Sequence, residues 1–100
     1  MTHAYHATPA ATRDDVLATG IVTDLEGEPI YLYDGEELAL RRARVLGESW
    51  IETPAGTADV WRVDMSGIDA KLHAHVNDGE NVTAQVDRID PERLTLIHTL

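Results

Sequence analysis

The stretch from Tyr5 to Ile21 leaves the backbone few options. Tyr5-His6-Ala7 is β-forming, Thr8-Pro9 interrupts it because proline cannot donate to a strand ladder, and Gly20 stops whatever follows. The residues between Pro9 and Gly20 suffice for one helix of about two turns. Thr12 is its N-cap candidate with Asp15 three residues on, and Asp14 and Asp15 suit the positive end of the helix dipole. Val16 and Leu17 supply apolar contacts. Gly20 stands where a left-handed C′ residue is expected, with Ile21 placed to pack back and lead into a second strand. In the first strand, residues 2–7, Tyr5 points to one face and Ala4 and His6 to the other. His6 brings an imidazole that can both donate and accept hydrogen bonds.

Downstream the pattern changes from helical to extended. Residues 24–29 are a polar turn, and Ile30-Tyr31-Leu32-Tyr33 is a short strand rich in β-formers. Asp34 and Glu37 form a capping-box pattern for a second helix, whose stripe of Leu38, Ala39, Val45 and Leu46 ends at Gly47. Arg41, Arg42 and Arg44 read as its solvated face, with phosphate recruitment as the alternative. Strands are then expected at residues 50–52, 59–65, 71–76, 81–86 and 94–100. Asn77-Asp78-Gly79-Glu80 is a hairpin turn, and Asp90-Pro91-Glu92-Arg93 a capped helical turn. Helices early and strands late give an α+β domain, residues 1–100, with two early helices and an antiparallel-rich sheet.

Composition narrows the function classes. A chain of 100 residues holds one core, and with no phenylalanine that core comes from Leu, Val, Ile, Ala and the tryptophans Trp50 and Trp61. Without cysteine there are no disulfides, thiolate zinc sites or thiol nucleophiles. His73 and His75 share a strand face but lack a clustered third ligand, so no metal is expected. No apolar run approaches a membrane span and no secretory layout is present, so no membrane partner and a cytoplasmic location are expected. Eighteen acidic residues face eight basic ones, for a net charge of −10, and Lys71 is the only lysine. Such an acidic protein suits a halophilic, salt-rich cytoplasm, where a Debye length of about 3 Å screens its self-repulsion. It argues against extended nucleic-acid binding and is compatible with an RNA end bound in a local pocket.

Several pieces in succession resemble a known family. Tyr5-His6-Ala7-Thr8-Pro9, the helix ending in Gly20-Ile21, and Ile30-Tyr31-Leu32-Tyr33-Asp34 before a helix with Glu37-Leu38-Ala39-Leu40 look like the front half of small ADP-ribosyltransferase-like domains. These include the C-terminal lobe of RNA 2′-phosphotransferases. The segment from Val60 to Asp69 and Ile89-Asp90-Pro91-Glu92-Arg93-Leu94 are similar to that family's central strand and closing segment. The resemblance implies a split sheet that pinches NAD, or an ADP-ribosyl or nucleotide end, between its halves. It implies that His6 and Thr8 hold the adenosine ribose end and that Tyr31 stacks on nicotinamide or takes the place of a second histidine. It also implies a transferase acting through an oxocarbenium-like centre with a late-strand glutamate. Here the chain departs from the family. Gln85 is the nearest polar analogue in residues 81–86, and Glu80 is a carboxylate in the hairpin turn. A glutamine cannot carry negative charge. The alternatives are an inactive binding or virus- or plasmid-type accessory protein of the same fold, and an unrelated small α+β dimerisation protein.

Overall fold

In the computed structural model, residues 1–23, 25–49, 58–74 and 79–100 are described. Strand β1 (His3–Pro9) runs two residues beyond the expected end, because Thr8 and Pro9 still face Asp59 and Ala58 on the next strand. Proline is tolerated there because β1 is the edge strand of its sheet. A 3₁₀ turn (Ala10–Thr12) then leads into helix α1 (Arg13–Thr19). Thr12 occupies the N-cap but its side chain does not cap; the hydroxyl donates instead to the Pro9 carbonyl at 2.8 Å. Asp14 and Asp15 do lie in the first turn, as expected from the dipole. Gly20 ends α1 at φ 84°, its N–H bonded to the Val16 carbonyl at 2.8 Å.

The chain continues through β2 (Ile21–Val22) and β3 (Ile30–Leu32) to helix α2 (Glu36–Ser49). That helix passes Gly47, the expected stop, since glycine inside a helix costs only about 1 kcal/mol and does not forbid it. Then come β4 (Ala58–Asp64), β5 (Ala70–Leu72), β6 (Val82–Ala84), β7 (Arg88–Ile89), a 3₁₀ turn (Pro91–Arg93) and β8 (Leu94–Thr99). The strand expected at residues 50–52 lies outside the described residues. So do Asn77 and Asp78 of the expected turn, although β5 and β6 pair antiparallel on either side of it. β7 has no counterpart among the expected strands; it forms because Ile89 pairs with Ile21 and Arg88 with Val22.

Every described pairing is antiparallel, and the class is α+β. One sheet has the order β1-β4-β8, a second β3-β6-β5, and β2 and β7 form a small ribbon. Among the described residues one backbone bridge joins the two larger sheets. Tyr5 and Tyr33 exchange both backbone hydrogen bonds at 2.8 Å, and beyond that bridge the strands part.

Two apolar clusters follow from the alternation of strand side chains. Tyr5, Ala7, Ala58, Val60 and Ile97 pack with Tyr33 against Leu38, Ala39, Leu40 and Ala43 of α2. Ala39 and Ala43 are fully buried, and their small side chains bring the helix axis close to the sheet. On the opposite face, Ala4, Trp61 and Val63 meet Val16, Ile21, Ile30, Leu32, Val82 and Ile89. A bulge lets β8 serve both clusters: Val60 faces His98 but Trp61 faces Leu96, so Ile97 is the extra residue. One ion pair ties α1 into this frame. Asp59, fully buried, accepts from Arg13 Nε at 2.8 Å and Nη2 at 2.7 Å, a bidentate grip. The hydrogen bond to Asp59, aided by its charge, raises the Arg13 pKa further above its ordinary value. Among the described residues no helix is long and apolar enough to cross a membrane.

Candidate functional site

The site lies where the sheet splits. From the Tyr5–Tyr33 bridge, β1 keeps its pairing with β4 (His6 opposite Trp61) while β3 follows β6 (Tyr31 opposite Thr83). The wedge between them is a cleft of about 230 Å³. His6 and Tyr31 line it from either side, Glu80 enters from the turn before β6, and Glu28 and Pro29 come from the β2–β3 connection. Ile21, Val22 and Thr23 complete the wall.

Each polar group reaches the cleft for a local reason. His6 stands between buried Ala4 and Thr8 on the core-facing side of β1, half-buried itself because the facing sheet has already diverged. Tyr31 alternates with buried Ile30 and Leu32, so its ring turns outward and is 46% exposed. Glu80 is exposed, and its carboxylate accepts a long hydrogen bond from the Tyr33 hydroxyl at 3.4 Å. The described lining holds an aromatic ring, an imidazole and two carboxylates, with no arginine or lysine. Such a set can stack a flat ring, hydrogen-bond a hydroxyl and stabilise positive charge.

The other expected site residues are placed elsewhere. Thr8 is buried, and its hydroxyl accepts the indole N–H of Trp61 at 2.8 Å. It is not among the cleft-lining residues. Gln85 directly follows β6; its amide donates to Thr83 Oγ1 at 3.3 Å and its backbone N–H to Asp69 O at 2.7 Å. Gln85 borders a separate open hollow with Glu26, Gly27 and Asp87, so it is Glu80 that shares a cleft with His6 and Tyr31. This follows from a shorter β6 than the sequence suggests: the strand holds only three residues, and the segments before and after it turn to different neighbours. Another hollow, of about 670 Å³, is open and carries Glu26, Asp87, Asp90 and Arg88. Arg88 is already bound to Asp90, at 2.9 Å from Nη2, and among the described lining residues there is no aromatic ring or imidazole.

His73 contacts Thr83 Oγ1 through Nε2 at 3.0 Å, and His75 lies outside the described residues. Among the described residues no three acidic or histidine side chains converge on a metal position. Arg41, Arg42 and Arg44 are exposed on α2 and take no part in the cleft lining. Two residues near the cleft carry no site signal in the sequence. Glu28 lies in the polar turn of residues 24–29, and Asn81, the first residue of the strand expected at 81–86, is 2% exposed with its side chain bonded to two other segments. In comparisons with protein-family models and with curated protein sequences, nothing matches this chain.

Proposed function

We propose that the chain is a small ADP-ribosyltransferase-like domain whose split-sheet cleft binds NAD, or an ADP-ribosyl or nucleotide end, and transfers ADP-ribose. The observation that carries this reading is the convergence of His6, Tyr31 and Glu80, from three separate segments, on one cleft at the parting of two sheets. In this reading the Tyr31 face stacks on the nicotinamide ring, a gain on the order of 1 kcal/mol. His6 hydrogen-bonds a ribose hydroxyl. Glu80 supplies the negative charge that Gln85 cannot, facing the carbon that becomes oxocarbenium-like as the glycosidic bond breaks. The cytoplasmic, halophilic reading of the composition belongs to the same proposal; its halophilic part draws on exposed carboxylates such as Asp14, Asp15, Glu26, Glu36, Glu37 and Asp87.

A second reading, ligand binding without turnover, draws on a different observation. No basic side chain lines the described cleft, so a diphosphate would lie there without counter-charge. One experiment separates the readings. Titration with NAD at molar salt should give saturable binding, weakened in His6→Ala at unchanged folding. Release of nicotinamide by the wild-type chain, lost in Glu80→Gln, supports transfer; binding without release supports the second reading. Absence of binding at millimolar NAD would sink both.

A further inference from the structure

Glu80 lies outside any strand, and its place in the cleft depends on what holds the turn before β6. The residue next to it answers that question. Asn81 is 2% exposed, and its carboxamide spans two segments. Oδ1 accepts the Asp34 backbone N–H at 3.1 Å, just before α2, and Nδ2 donates to the His73 carbonyl at 3.3 Å, just after β5. Its backbone adds two more ties: the N–H donates to Leu32 O at 3.1 Å and the carbonyl accepts from His73 N–H at 2.7 Å. The end of β3, the start of α2 and the end of β5 therefore meet on one side chain and its own peptide groups. Tyr33, also 2% exposed, completes the arrangement. Its backbone forms the bridge to Tyr5 from which the sheets part, and its hydroxyl donates to Glu80 Oε1.

We propose that Asn81, with the Tyr33 hydroxyl, is the positioning residue that aims Glu80 into the cleft; only the identity of what Glu80 addresses rests on the ligand reading above. A carboxamide suits the role because it accepts at one end and donates at the other without adding charge beside Glu80. Leucine has nearly the same shape and can do neither. Removing both side-chain bonds releases this segment from the start of α2 and takes away one of its two ties to the end of β5, while the backbone bonds of Asn81 to Leu32 and His73 remain.

The test uses the full chain, with Asn81→Leu as the main variant and Asn81→Ser as a smaller, polar one should leucine impair folding. Folding is checked first by circular dichroism. The positioning readout is the nuclear Overhauser contact between the Tyr33 ring and the Glu80 methylenes, which needs no ligand. The proposal expects this contact in the wild-type chain and its loss in the Asn81 variants at retained fold. It also expects NAD affinity to fall by the same factor in Asn81→Leu as in Glu80→Gln, with no further loss in the double variant. Persistence of the contact in the folded Asn81 variants overturns the role. So do affinity losses that multiply in the double variant. Loss of the contact in a chain whose wild type binds no NAD upholds the positioning role and sinks the ligand reading instead.

Discussion

Replacing Thr8 with valine tests whether that residue belongs to the core or to the cleft. Thr8 is 7% exposed and Trp61 is fully buried, so the 2.8 Å bond from the indole N–H to the Thr8 hydroxyl is made away from bulk water. Valine keeps the branched shape and removes only the acceptor. The indole N–H is then buried without that partner, which costs about 1–3 kcal/mol; the added methyl offsets a small part by its own burial. In a domain of this size 1 kcal/mol shifts Tm by about 4–8 °C, so a 2 kcal/mol loss lowers Tm by roughly 8–16 °C. Thermal and urea unfolding followed by circular dichroism measure this, with the urea slope expected to be unchanged. Thr8→Ser keeps the hydroxyl and loses a methyl, about 0.8 kcal/mol, and should preserve the slow exchange of the Trp61 indole proton that Thr8→Val accelerates. NAD affinity at saturated folding should be the same in all three chains. Wild-type stability in Thr8→Val, or weakened NAD binding with stability intact, would refute the assignment of Thr8 to the core.

Three further outcomes are expected. Gly20 holds φ 84° with ψ −161°, a glycine-only region costing about 1–3 kcal/mol for any other residue, and a Cβ there would overlap the Ile89 carbonyl oxygen. Gly20→Ala should therefore lose clearly more stability in urea than Gly67→Ala, which has φ 75° but open space around it; equal losses would rule out the overlap. The Asp64 pKa is lowered by hydrogen bonds from the Ser66 side chain and backbone. A folded pKa below the unfolded one gives stability that is present above the unfolded value, about 3.9, and lost as pH falls through the folded one. The stability gap between wild type and Asp64→Asn should close below about pH 4, and a gap constant down to pH 2 would count against this assignment. With a net charge of −10, the fold should loosen as salt drops from molar toward about 0.1 M, where the Debye length grows to about 10 Å; constant Tm across that range would contradict the halophilic reading.

Local chemistry made much of this fold legible in the sequence. Pro9 and Gly20 bracket the first helix and Pro91 opens the last turn before β8, and of the stripe expected on α2 Leu38 and Ala39 pack on the sheet whereas Val45 is exposed. These signals act over a few residues, through backbone dihedrals and side-chain periodicity, so they survive without knowledge of the partner. His6 and Tyr31 are site candidates through the family resemblance, and alternation along a strand adds only which of their neighbours share a face. Tertiary structure alone decided what those faces meet. Whether Thr8 serves a ligand or Trp61, whether Thr12 caps α1 or bonds Pro9, and whether Arg13 is solvated or locks buried Asp59 depend on neighbours far along the chain. β7 exists only because Ile21 is there to pair with Ile89. The cleft is of the same kind. The Tyr5–Tyr33 bridge sets where two sheets part, and that parting, which no local pattern encodes, brings Glu80 rather than Gln85 beside His6 and Tyr31.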